Sequence, residues 1–407
     1  MGGNAFGALL SATAFPRLPP PVYRALKSRI FPKLAELYAF VSVPIEAPEK
    51  QDHGDLDLLV CGPKPPYTTH VPHEIVKRAL GAEHVIAMDG NRTSNYAVPI
   101  RRGEWEPFVG NAFVEEHKRE LAGDGEIYYQ VDVHVCLDKP EWDRILFFHS
   151  YGDLGMILGL ITRNNGILWG EKGLKIPDPP NPPFELSDSF EEITRFLDLP
   201  LGPFYEGFKT KSNVFEWAAS MKYFDSRKFQ STGTGFRKVK AERTMYAEFV
   251  EWVETTKPSS HPYNQLTREE KFDRIREDAL VFFNKKKEFE DLAKSRMDKA
   301  RLKEAFSGSR VRDWTGLGEY WKGVKLIMDE VRERLGGEQG LLQFLDDHTE
   351  DELKAVVLQV QSDLGIETRL PSDLQSLENL LEKTTLTTIV KEKVVNVDGK
   401  SSCDTLP

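Results

Sequence analysis

The stretch Gly54-Asp55-Leu56-Asp57-Leu58-Leu59-Val60 constrains this chain more than any other. Side chains on a strand alternate between faces, so Leu56, Leu58 and Val60 make one unbroken apolar face while Asp55 and Asp57 share the other with Leu59. A second run, Ile127-Tyr128-Tyr129-Gln130-Val131-Asp132-Val133-His134-Val135-Cys136, is rich in β-branched and aromatic residues and reads as another strand carrying a single acid, Asp132. Taken alone, an Asp-x-Asp pair is more often a turn before a buried strand than a site. The strand context and the downstream acid favour a site.

Acids are depleted in strands and like charges repel across a sheet, so three ionised carboxylates need a compensating cation. Magnesium fits best, with manganese as the alternative, because a hard ion takes carboxylate and phosphate oxygens. Two such ions about 3.5–4 Å apart can activate an attacking hydroxyl and stabilise departing pyrophosphate. Asp55, Asp57 and Asp132 are therefore the candidate catalytic and metal-binding residues, and nucleoside triphosphate is the candidate substrate.

At 407 residues the chain has room for two or three domains. Charged residues make up 29% and mean hydropathy is -0.44, and no run of about 18 apolar residues exists, so no membrane-spanning helix is expected. Pro16, Pro19, Pro20 and Pro21 argue against a signal peptide, and an intracellular protein, cytoplasmic or nuclear, is expected. Cys61, Cys136 and Cys403 are too few and too widely spaced for a cysteine zinc cluster. His70 and His73 lack further ligands at suitable spacing. The net charge of -10 does not suggest a nucleic-acid-coated protein, although Lys222 to Arg243 carries seven basic residues against two acidic.

In chain order the patterns predict a helix over Tyr23 to Phe40 with a kink or restart at Pro32, an extended Val41–Ile45, and a helix from Pro72 to Leu80 ended by Gly81. They then predict a hairpin of Val85–Met88 with Asn95–Ile100 around Asp89-Gly90-Asn91, and a helix over Val114–Leu121. Helices are expected after Pro140, then a proline-rich linker over Ile176–Pro183, then a charged helical run from Thr267 to about Phe306. The expected organisation is an α/β mixed-sheet core over 1–140 and helical domains over 141–256 and 257–375. The second of these is a possible RNA-binding domain, and a largely disordered tail over 376–407 is expected to follow.

On Asp55-Leu56-Asp57 and Val131-Asp132-Val133 the chain resembles the DNA-polymerase-beta-like nucleotidyltransferase superfamily. Gly2-Gly3-Asn4-Ala5-Phe6, His53 to Val60, Gln130 to Val133 and Ser150-Tyr151-Gly152-Asp153-Leu154-Gly155 look like nucleotidyltransferases of phages and fungi, and the similarity runs to about Arg243–Tyr246. Phe306-Ser307-Gly308 through Thr315-Gly316-Leu317 is also similar to the phosphate-contacting end of tRNA CCA-adding enzymes. The resemblance implies transfer of a nucleotide to an acceptor hydroxyl, possibly an RNA or tRNA 3′ end. It departs at one place: the superfamily carries Gly-Ser about ten residues before the aspartate pair, at a helix start that cradles the triphosphate, and this chain has Val43-Pro44-Ile45-Glu46-Ala47-Pro48. Nucleotide contacts are then expected from Lys50, Gly54, Ser150, Tyr151 and Arg163. The same gap motivates a competing reading, a catalytically silent protein of this fold that binds RNA or a protein partner. A kinase reading of His53-Gly54-Asp55 fails because the metal-holding Asn it requires five residues on is Val60. Oligomeric state is open.

Overall fold

The computed structural model describes residues 5–87, 92–123, 125–229, 243–256 and 261–367. Gly2-Gly3-Asn4, the Asp89-Gly90-Asn91 turn, most of the basic stretch before Arg243 and the tail over 376–407 lie outside the described residues. The chain forms two compact units, Met1–Lys287 and Glu288 onward. The expected divisions after 140 and after 256 fall inside the first unit.

The first unit opens with helix α1 (Pro20–Leu37), which feeds strand β1 (Tyr38–Ser42) and then β2 (Asp55–Pro63). Pro20 sits in the first turn, where its missing N–H costs nothing. Pro32 does not restart the helix: it lies on the exposed side, where the carbonyl freed by the lost bond meets water. Helix α2 (His73–Leu80), ended by left-handed Gly81, precedes the antiparallel pair β3 (His84–Ala87) and β4 (Thr93–Pro99). Helices α3 (Glu106–Val109) and α4 (Ala112–Ala122) lead into β5 (Tyr128–Val135). The five strands form one mixed sheet in the order β1-β2-β5-β4-β3, with β2 and β5 parallel and the other pairs antiparallel.

One face of this sheet is mainly apolar. Leu56, Leu58 and Val60 from β2 and Val131 and Val133 from β5 pack with Val22, Leu26, Ile30 and Leu34 of α1. The other face is covered in two patches. Helix α5 (Lys139–His149) lays Ile145, Trp142 and Leu146 on Leu59, Cys61 and Cys136 at one end. At the other end Phe6 and Phe15, stacked at 5.1 Å, pack on Ala97 and Tyr128. Between the patches, alternation leaves Asp55, Asp57 and Asp132 uncovered by either.

Helix α6 (Leu154–Arg163) follows, then a three-stranded sheet of β6 (Leu168–Gly170), β7 (Gly173–Asp178) and β8 (Asn181–Ser187). This corrects the expected proline-rich linker. Ile176 and Phe184 pair across the β7–β8 hairpin and are buried, and Pro182 and Pro183 lie on the edge strand β8, where a missing donor breaks no ladder. The unit continues through α7 (Phe190–Phe196), α8 (Gly202–Glu206), α9 (Lys211–Ala219), α10 (Thr244–Thr256) and α11 (Arg268–Phe282). The charged run expected to continue to Phe306 is interrupted after α11, where Asn284 adopts a left-handed φ of 52°.

The second unit is helical: α12 (Lys286–Ala305), whose first residues belong to the first unit, α13 (Gly308–Thr315), α14 (Trp321–Arg334), α15 (Gly337–Asp347) and α16 (Glu350–Asp363). Its core is Val311, Ile327, Val331, Leu353 and Val357, all 0% exposed. Among the described residues no single helix is long and apolar enough to cross a membrane. Helices α5 and α6 pass the composition test only as a pair, bent by 93°.

Candidate metal centre and cleft

The centre is a product of strand register. Parallel pairing of β2 with β5 sets Asp57 directly across from Asp132 and Asp55 across from Gln130. On the other side of β5, Asn95 of β4 is the antiparallel partner of Asp132. Carboxylate oxygens of Asp55, Asp57 and Asp132 all lie within 4.8 Å of one another. Asp132 is oriented by two amides: Asn95 Nδ2 donates to its Oδ1 at 2.6 Å, and Gln130 Nε2 donates to Oδ1 and Oδ2 at 3.0 and 2.9 Å.

Asp57 and Asp132 are poor anions as they stand. Asp57, which solvent reaches from the cleft although protein crowds around it, is pushed up to about 6 by desolvation and then by the charge of Asp55, with His149 and Lys50 pulling it back. Asp132 is pushed up to about 7 by burial and then by Asp57, against the opposing hydrogen bonds of Asn95 and Gln130. Three oxygen donors held together at this electrostatic cost fit a hard divalent cation, whose charge offsets both the desolvation and the repulsion that raise Asp57 and Asp132.

Entry into β2 is fixed from behind. Leu18 and His53 exchange backbone hydrogen bonds of 2.7 and 2.9 Å, and the His53 ring stacks on Tyr23 at 3.7 Å. Burial, then Lys50 and Arg17, push His53 down to about 4, so the ring is neutral and its role here is packing.

The centre opens into a cleft of about 1680 Å³. One wall is the strap between β1 and β2, which includes Glu46, Lys50 and Gly54; another is the α6 face that ends in Arg163. His149, Gly152 and Asp153 from the α5–α6 junction and Glu171 and Lys172 from the β6–β7 turn complete it. Of the residues expected to contact nucleotide, Lys50, Gly54 and Arg163 therefore line the cleft.

Ser150 and Tyr151 are not brought to it. Ser150 is 0% exposed, and its Oγ donates to Leu146 O at 2.7 Å and accepts from Ile45 N at 3.0 Å. Tyr151 is 1% exposed and left-handed at φ 58°; its N–H donates to Ile45 O at 2.6 Å and its hydroxyl to Phe204 O at 2.7 Å. Both residues moor the strap. Gly152 beside them allows a close approach, since a Cβ there would stand 3.1 Å from Met245 Sδ and 3.3 Å from Ala47 Cβ.

Several site residues escaped the sequence reading. Asn95 carries no signal until β4 is registered against β5. Gln130 could have been found, because it lies two positions before Asp132 and so on the same face. The pairing of His149 Nε2 with Glu171 Oε1 at 2.9 Å joins residues 22 apart that no motif connects. Glu171, by hydrogen bond and charge, raises the imidazole above its ordinary value despite burial, and Asp57 adds to the effect.

No protein-family model matches the chain, and no curated protein matches it either.

Proposed function

We infer that the chain is a magnesium-dependent nucleotidyltransferase that moves a nucleoside monophosphate from a triphosphate to an acceptor hydroxyl. The observation that carries this reading is the register pair Asp57–Asp132 with Asp55 beside it, three carboxylates gathered within 4.8 Å, of which Asp55 and Asp57 line a large cleft. Asp55 and Asp57 would hold the metal and Asp132 would complete the site. Magnesium, or manganese through the same oxygen donors, supplies charge neutralisation at the transferring phosphoryl group when bound.

The rest is alignment. A hydroxyl attacks the α-phosphorus as the bond to pyrophosphate breaks, and such transfer needs in-line geometry and charge stabilisation rather than a nucleophilic side chain. The Asn95 and Gln130 amides fix the direction of the Asp132 carboxylate, and the moored strap bounds the space in which a nucleotide can lie. An RNA or tRNA 3′ end is the acceptor suggested by the sequence resemblance.

The test is incubation with each labelled triphosphate, Mg²⁺ and RNA. Transfer by the unmodified chain and its loss in Asp55→Asn and Asp57→Asn is the expected result, and equal behaviour of all three overturns it. The silent-protein reading rests on the strap standing where a Gly-Ser cradle is expected. Calorimetry separates the two, because a silent protein binds no nucleotide in a Mg²⁺-dependent way.

A further inference from the structure

Among the described residues seven Lys and Arg side chains line the cleft, and they fall into two classes. Four are committed to carboxylates: Arg17 to Asp52 at 2.6 Å, Lys175 to Glu185 at 2.5 Å, Lys211 to Glu248 at 2.7 Å and Arg243 to Asp153 at 2.9 Å. Among the described residues the side chains of Lys50, Arg163 and Lys172 have no ion-pair or hydrogen-bond partner, and all three residues are exposed and line the cleft.

Two of these cations sit on backbone that is held in place. Lys50 follows Glu49, which is left-handed at φ 60° and whose Oε2 accepts from Lys211 N at 3.2 Å, in the strap already moored at Ile45. Lys172 lies in the turn between Gly170 and Gly173, which pair across β6 and β7. Arg144 Nε donates to Glu171 O at 3.0 Å within that turn, and Glu171 in turn holds His149. Gly173, at φ 85°, lies so close to Ser187 that a Cβ would stand 2.3 Å from its carbonyl oxygen. Lys50, Lys172 and His149 are thus presented from three elements into the cleft that Asp55 and Asp57 line. Within that cleft the charges of Lys50 and His149 act on Asp57.

We propose that Lys50, Lys172 and the Glu171-held His149 form a clamp for a phosphate chain beside the three aspartates, in place of the Gly-Ser helix start that the sequence lacks. Each supplies an N–H donor that the protein leaves unused: the ammonium groups of Lys50 and Lys172 and the second ring nitrogen of His149. Glu171 keeps His149 in one orientation and favours its protonated form. The proposal depends on the transferase reading only for the natural ligand, the triphosphate of a nucleotide; the clamp itself is a claim about polyphosphate.

The experiment is calorimetric titration of the full chain with inorganic tripolyphosphate in the presence of Mg²⁺. Lys50→Ala, Lys172→Ala and His149→Gln should each weaken binding about tenfold or more, the scale of a charge-assisted hydrogen bond. His149→Lys, which restores the charge, should recover most of the loss. Lys175→Ala should bind like the unmodified chain, because that cation is already committed to Glu185. Equal binding by all variants, or no binding by the unmodified chain, overturns the clamp. Absence of nucleotide transfer alongside variant-sensitive tripolyphosphate binding would instead remove the transferase reading and leave the clamp standing.

Discussion

Asp57 and Asp132 face each other across adjacent parallel strands, with Asp55 two residues upstream on the same face as Asp57. In an ordinary sheet this is a destabilising arrangement, and its cost is measurable.

Both folded-state carboxyls titrate above the ordinary 3.8, Asp57 near 6 and Asp132 near 7. A raised folded value favours the folded state fully below the unfolded pKa, and that stability is lost as pH rises through the folded values. Asp132→Asn should therefore stabilise the metal-free chain at about pH 8 by about 1–2 kcal/mol after discounting for solvent screening, read as a higher melting temperature, and the gain should vanish at about pH 4. Asp57→Asn should act in the same direction. Thermal unfolding in chelator at the two pH values checks both.

Adding Mg²⁺ at about pH 8 should reverse the order, raising the melting temperature of the unmodified chain but not of the Asp→Asn variants, because a ligand stabilises only the state that binds it. Equal shifts in all proteins would count against a metal at this centre.

Glu141 behaves in the opposite sense. Arg92 donates to it at 2.5 and 2.6 Å and Leu137 N at 2.6 Å, and the Arg92 hydrogen bond foremost holds it down at about 2. A lowered value contributes stability above the unfolded 4.5 that is lost as pH falls toward 2. Arg92→Ala should cost about 1–2 kcal/mol at neutral pH, allowing for the partial exposure of the pair. Acid unfolding of this variant should begin at higher pH than in the unmodified chain.

Ser150→Ala removes the acceptor for the part-buried Ile45 N–H and should destabilise by about 1 kcal/mol. The strap bearing Lys50 should loosen with it. Denaturant melts report the first effect, and faster amide exchange confined to the strap reports the second.

Gly173→Ala should be more severe. The substitution forces a Cβ into left-handed backbone at φ 85° and to 2.3 Å from Ser187 O, so a loss of about 3 kcal/mol or more is expected. Denaturant unfolding measures the loss, together with a weaker grip on tripolyphosphate as Glu171 and Lys172 shift.

Alternation made the two acid-bearing strands, their shared polar face and the apolar opposite face legible from sequence, because a period of two leaves no freedom once one face must be buried. The three-aspartate set was legible for the same reason. Its supports were not: Asn95 joins through a register that local pattern does not encode, and His149 meets Glu171 only after α5 and the β6–β7 turn have packed. Ser150 and Tyr151 show the converse. Their position after the third acid suggested nucleotide contact, yet burial directs their polar atoms to Leu146, Ile45 and Phe204. The proline-rich Ile176–Pro183 was misread because edge-strand prolines resemble linker prolines until the neighbouring strand is known.

The insertion of β5 between β2 and β4 also bears on how the protein reaches its fold. Strands β2 and β4 can each collapse with local partners without bringing the two acid-bearing strands together. Only when β5 docks do residues 57 and 132, far apart in sequence, become neighbours, so the charge cost between them falls on a long-range step. Divalent cations should then accelerate refolding as well as stabilise its product, coupling maturation of the chain to the ion that its chemistry is proposed to require.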